Sequence, residues 1–191
     1  MWRSRQAPAR AGARSCPTVV PVREIDELLA NNDSFVMPGH FDARPVRKLA
    51  IVTCMDARID LFSSLGIAAG EAHILRNAGG VITDDVIRSL AISQRRLGTR
   101  GVMIIQHTEC GMQLITDDEF RAELQEAAGV APAFAIESFG DLEANIRESI
   151  LRVRRSPFLM HTDAVRGFVY DVHRHRLREV VVDGSTKPSD V

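Results

Sequence analysis

The strongest constraint on this chain is an alternation of three short apolar runs with segments of helical periodicity. The runs are "VRKLAIVT" at 46–53, "AHILR" at 72–76 and "GVMIIQH" at 101–107. Their length and β-branched content read as buried strands. Between them, "IDLFSSLG" at 59–66 and "TDDVIRSLAISQRRLGTR" at 83–100 carry helical spacing, the second opening with a capping Thr83 and acids and closing at Gly98. Strands alternating with helices imply a parallel sheet covered on both faces and joined by right-handed crossovers. Further helices are expected at about 117–127 and 140–155, the latter beginning near Asp141 and stopping before Pro157. "VRGFVYDV" and "LREVVVD" read as two closing strands with alternating faces.

A length of 191 residues fits one domain with a substantial core. Hydrophobic residues at 45% and charged residues at 26% are those of a soluble globular protein, and a net charge of -1 argues against general attraction to nucleic acid or anionic lipid. The charge is uneven. Arg3, Arg5, Arg10, Arg14 and Arg23 all precede the first acid, Glu24, so residues 1–22 are expected to form a disordered basic arm and 23–191 a single domain. Pro8, Arg10, Gly12 and Arg14 interrupt every candidate secretory core in that arm, and no later segment approaches a membrane-spanning length. A transit peptide is the weaker reading, because the arm is Arg-rich and acid-poor but lacks an amphipathic pattern. "REIDELLANND" at 23–33 places Ile25, Leu28 and Leu29 at helical spacing, on a helix suited to packing on a partner. Cys16, Cys54 and Cys110 are too few for a disulfide framework, which points to a reducing cytoplasm.

In open α/β sheets, ligands bind beyond the carboxyl ends of the strands. Two such ends carry metal-type ligands: Cys54 terminates the first strand and His107 the third, with Cys110 three residues later in "HTEC". Sulfur, nitrogen and sulfur suit a borderline-soft divalent ion, most commonly zinc. Three protein ligands leave one tetrahedral position open, as in a catalytic site, where zinc lowers the pKa of bound water from roughly 15.7 to roughly 7. Two thiolates cancel the ion's formal charge and weaken that effect, so neighbouring groups must help. In "CMDAR", Asp56 can orient a metal-bound water or bind the metal itself, and Arg58 can hold its carboxylate bidentately. Taken alone, the pair is an ordinary solvated ion pair. A Cys54/His107 nucleophile pair leaves Cys110 idle, and no C-x-x-C, phosphate loop or dinucleotide fingerprint is present. "RNAGG" at 76–80 reads as a tight turn near the site, feeding the helix at Thr83. His173 and His175 share one face if on a strand, and read as solvated beside Arg174 and Arg176. His40, His73 and His161 have no assignable partner in the sequence.

Through "CMDAR", "RNAGG" and "HTECG", in order and approximate spacing, the chain resembles the β-class carbonic anhydrases over about residues 23–183, in particular their compact actinobacterial type. The resemblance implies a mainly parallel central β-sheet flanked by helices, with an antiparallel strand near the C-terminus. It implies a zinc enzyme that reversibly hydrates carbon dioxide to bicarbonate and a proton. Cys54, His107 and Cys110 then correspond to the metal ligands, Asp56 and Arg58 to the dyad orienting zinc-bound hydroxide, and Asp56 also to a conditional fourth ligand. It further implies a homodimer or homotetramer with N-terminal helices embracing the neighbour. The chain departs from the pattern in "DVHRHRLREV", where relatives often carry a Gly-containing turn. The rival readings are a carbonyl sulfide or carbon disulfide hydrolase using the same zinc site, and a non-enzymatic zinc module closed by Cys16 or His73.

Overall fold

The computed structural model describes residues 23–37 and 39–182. The expected basic arm at 1–22, with Cys16, lies outside the described residues. The chain divides into two units between His40 and Phe41, and each is described by itself. In the first, α1 (Arg23–Asp33) carries Glu24 and Asp26 in its first turn, where they complement the helix dipole, and it exposes Ile25, Leu28 and Leu29.

The second unit holds a five-stranded sheet of β1 (Leu49–Cys54), β2 (Ala72–Asn77), β3 (Gly101–His107), β4 (Val165–Asp171) and β5 (Arg176–Val180). The spatial order is β2-β1-β3-β4-β5. β1 pairs in parallel with β2 and β3, and β3 with β4, whereas β4 and β5 form an antiparallel hairpin. This is the mainly parallel sheet expected, with its antiparallel pair at the C-terminal end. β1 starts three residues later than the apolar pattern predicts, because the Lys48 N–H donates to the Pro45 carbonyl (2.9 Å) and closes a turn. Val46 and Arg47 donate instead to the carbonyls of Gly70 and Glu71.

Helix starts follow the capping chemistry of the sequence. Asp60, Thr83, Thr116 and Asp141 accept from backbone N–H groups in the first turns of α2 (Leu61–Leu65), α3 (Asp84–Leu97), α4 (Asp117–Ala128) and α5 (Leu142–Arg155). α2 is shorter than the 59–66 pattern because Asp60 serves as its cap and Gly66 ends it.

Alternate residues of each strand enter two cores. On one face, Ala50, Val52, Val102 and Ile104 pack with Val86 and Leu90 of α3 and with Ile146, Ile150 and Val153 of α5. On the other, Ile51 and Ile105 pack with Ile59, Leu61, Phe139 and Tyr170. Burial on both sides explains why these strands read as continuous apolar runs rather than alternating ones. Each fully buried aliphatic side chain contributes about 1.5–3 kcal/mol, and this double core fixes the strand ends on which the site is built.

At Gly167 of β4, α5 packs tightly on the sheet: a Cβ there would lie 2.8 Å from Ile150 Cδ1 and nearer still to Ile146. Gly167→Ala is therefore expected to overpack this contact and destabilise the fold by about 1–3 kcal/mol. Chemical denaturation with an unchanged midpoint would contradict the packing described.

Candidate metal centre

The parallel register of β1 and β3, with Thr53 opposite Ile105, brings the carboxyl ends of both strands to one edge of the sheet. Cys54 and His107 are the last residues of those strands, and Cys110 immediately precedes a short 3-10 turn at Gly111–Gln113. All three are buried, and the Cys54 Sγ, Cys110 Sγ and His107 ring nitrogen able to bind a metal lie within 4.8 Å of one another. Residues separated by more than fifty positions thus form one donor cluster.

The geometry fits zinc. His107 Nδ1 donates to the Thr108 carbonyl (2.9 Å), which fixes the tautomer that leaves the Nε2 lone pair free. Nε2 is buried and has no hydrogen-bond partner, a costly arrangement unless another group takes that lone pair. Two sulfurs beside it complete the S, N, S set that a borderline-soft divalent ion prefers. The two sulfurs also hydrogen-bond to each other. Cys54 is held below the ordinary thiol range, first by hydrogen bonding with Cys110 and then, against the opposing effect of burial, by backbone groups. One of these is the Gly79 N–H, 3.3 Å from its sulfur. Cys110 is pushed up by the Cys54 sulfur and by burial.

Asp56 and Arg58 sit beside this set in the clamp expected. Arg58 Nε donates to Asp56 Oδ1 (3.0 Å) and Nη2 to Oδ2 (2.8 Å), while the Arg58 backbone N–H donates to Oδ1 (2.9 Å). These bonds, the guanidinium's first among them, hold the carboxyl well below the usual carboxylate range, so it stays ionised at neutral pH. Asp56 Oδ2 lies 3.7 Å from His107 Nε2, close enough to act on whatever binds at the three donors.

Several supporting residues were not assigned from the sequence. Arg76, at the end of β2, donates through Nε to the Cys54 carbonyl (2.9 Å) and through Nη2 to the Asp56 carbonyl (2.7 Å). It holds the main chain on both sides of Met55. A signal was present in the arginine opening "RNAGG", but its partners are carbonyls, which carry no side-chain signature. The rest of that motif is the tight turn expected: Asn77 exchanges two hydrogen bonds with the Val81 backbone, and Gly79 and Gly80 both take positive φ. Glu109, inside "HTEC", accepts from Arg58 at its carbonyl (3.1 Å).

The remaining histidines divide differently. Both ring nitrogens of His73 are engaged, by Ser93 Oγ (2.7 Å) and the Ala43 carbonyl (2.9 Å), which leaves it no role as a ligand. His173 and His175 lie in the β4–β5 turn rather than on a strand, so they do not share a sheet face. His173 pairs with Glu109 (2.8 Å) and His175 with the Tyr170 hydroxyl (2.9 Å). His161 contributes its backbone to Gln94, and His40 is exposed.

Gly80 brings the turn against the cluster. A Cβ on it would meet the Cys54 nitrogen at 2.7 Å and the Ile105 carbonyl at 3.0 Å, at a φ of +64°. Both neighbours are backbone and cannot rotate away. Gly80→Ala is expected to cost about 2–4 kcal/mol of stability; thermal melting indistinguishable from the wild type would refute this close approach.

Comparison with known proteins agrees with the geometry. A family model described as carbonic anhydrase matches residues 49–177. The chain is 47% identical over 157 residues to β-carbonic anhydrase 1 of Mycobacterium tuberculosis, covering 81% of this chain and 96% of that relative. It is 33% identical over 158 residues to a carbon disulfide hydrolase from Acidianus, covering 70% and 77% respectively. Among solved structures, carbonic anhydrase from Streptococcus mutans superposes with a TM-score of 0.78 at 39% identity, covering 86% of this chain and all of that one.

Proposed function

This chain belongs to the β-carbonic anhydrase family, and from that premise we propose that it catalyses the reversible hydration of carbon dioxide to bicarbonate and a proton. The observation that carries the reading is the buried, unpartnered His107 Nε2 grouped with two buried cysteine sulfurs beside a clamped carboxylate. Cys54, His107 and Cys110 would hold zinc. When bound, the ion supplies the Lewis acidity that makes water a competent nucleophile near neutral pH.

The chain's own groups do the rest. Thr108 fixes the His107 tautomer, and the Gly79 N–H supports the Cys54 sulfur. Asp56 has three of its acceptor directions occupied by Arg58. It offers a remaining one to the attacking oxygen and so aims a lone pair at the electrophilic carbon. Held ionised by Arg58, it is a positioning acceptor and not the base that removes the product proton. Carbon dioxide gains one carbon–oxygen bond, a π pair moves onto an oxygen to give bicarbonate, and the released proton passes to buffer. Asp56, with Oδ2 3.7 Å from His107 Nε2, would also be the conditional fourth ligand.

The rival within the same chemistry is hydrolysis of carbonyl sulfide or carbon disulfide, favoured by relatives that carry the latter name. The closer similarity to a carbonic anhydrase ranks carbon dioxide first. Stopped-flow hydration of carbon dioxide by the zinc-loaded protein is expected to be rapid. Asp56→Asn and Arg58→Ala are each expected to lower kcat by about 10–100-fold with zinc retained. Cys54→Ser, His107→Ala and Cys110→Ser are expected to abolish stoichiometric zinc. Negligible hydration beside rapid sulfide release from carbon disulfide would move the assignment to the rival, and full activity in the dyad variants would remove the role given to Asp56.

We place the enzyme in the cytoplasm as a homodimer or homotetramer. Two free buried cysteines support the compartment, and no helix among the described residues is long and apolar enough to cross a membrane. Exposed Ile25, Leu28 and Leu29 support association through α1. Light scattering is expected to give two or four times the chain mass of 21.1 kDa, and a single-chain mass would overturn the assembly.

A further inference from the structure

The Arg58 guanidinium is held from two sides. One edge clamps Asp56, and the other meets Glu109, whose carbonyl accepts from Nη2 (3.1 Å) and whose carboxylate Oε2 lies 3.5 Å from Nη1. Glu109 is not glycine yet has a φ of +56°, an unfavourable conformation that persists only where its surroundings hold it. The surroundings here are the β4–β5 turn. His173 Nε2–H donates to Glu109 Oε1 (2.8 Å), and the Val172 N–H donates to Thr108 Oγ1 (3.2 Å). The turn is itself fixed, because the backbone N–H groups of His173 and Arg174 both donate to Asp171 Oδ1. A chain of contacts therefore runs from the hairpin through Glu109 and Arg58 to Asp56.

We propose that His173 is a positioning residue: through Glu109 it orients the Arg58 guanidinium and thereby the Asp56 carboxylate. The proposal rests on the reading of Asp56 and Arg58 as the orienting dyad. Stability does not account for the arrangement, since the side chains of Arg58, Glu109 and His173 are 46%, 59% and 71% exposed and such pairs add little to folding. Orientation does, because an arginine with one edge free can swing, and one gripped on both edges cannot. The link lies in the β4–β5 turn, at "DVHRH".

The test uses the full chain, with and without zinc, as wild type, His173→Ala and His173→Gln. Glutamine keeps a neutral N–H donor at nearly the reach of Nε2. The first readout is hydrogen exchange of the Arg58 Nε–H by nuclear magnetic resonance, its signal identified by its loss in Arg58→Lys. Exchange is expected to quicken about two- to fivefold in His173→Ala and to return toward the wild-type rate in His173→Gln, in line with one exposed charged contact. The second readout is hydration, where His173→Ala is expected to lower kcat by a similar factor, with KM and zinc content unchanged and activity restored in His173→Gln. Unaltered exchange in His173→Ala, or a glutamine variant that behaves like the alanine one, would overturn the proposal. Absence of hydration in the zinc-loaded wild type would instead refute the proposed function, and the exchange measurement would still decide the role of His173.

Discussion

Everything at the site depends on the parallel pairing of β1 with β3. The pairing is fixed by burial on both faces: Ala50 and Val52 enter one core, Ile51 the other, and a slip of one residue would exchange them. Cys54 and His107 are the last residues of those two strands, so the register that satisfies the cores also delivers a sulfur and an imidazole to the same edge. Cys110 needs no third strand, only the short reversal of "HTEC". The metal centre is a by-product of strand packing in its positions, and of nothing but chemistry in its residue types.

Position alone does not make a donor set. A buried imidazole nitrogen and two buried sulfurs carry desolvation costs, and the surrounding backbone offsets them. The Thr108 carbonyl orients His107, the Gly79 N–H faces Cys54, and Gly80 lets the turn press against the Cys54 nitrogen, where no side chain fits. Arg76 fixes the chain around Met55 by its two carbonyl contacts. Outside this inner shell the contacts become ionic and exposed, as in the Arg58–Glu109–His173 chain. The inner contacts fix where the three donor atoms lie, and the outer ones reach the guanidinium that clamps Asp56.

Much of this could be read from the sequence. The three strands and the capped helices follow from apolar runs, Thr83, Asp141 and Gly98, and the donor set from two ligand types placed at strand ends. The clamp between Asp56 and Arg58 was legible because it joins complementary side chains two residues apart. What could not be read is what involves backbone acceptors or distant loops. Arg76 acts on carbonyls, and Glu109 acts through its own carbonyl at an unusual φ. His173 reaches a residue sixty-four positions away. The late start of β1 belongs to the same class, since Val46 and Arg47 look like strand residues until Lys48 turns the chain. The histidines of the hairpin were read as solvated, and they lie exposed in its turn, where the facing rule of a strand does not apply.

The most direct test of the account is X-ray absorption at the zinc edge of the loaded protein. Two sulfur scatterers near ~2.3 Å, with one imidazole and one further light atom near ~2.0–2.1 Å, are the predicted result. A first shell holding fewer than two sulfurs, or no stoichiometric zinc at all, would contradict the claim that Cys54, His107 and Cys110 meet around one ion.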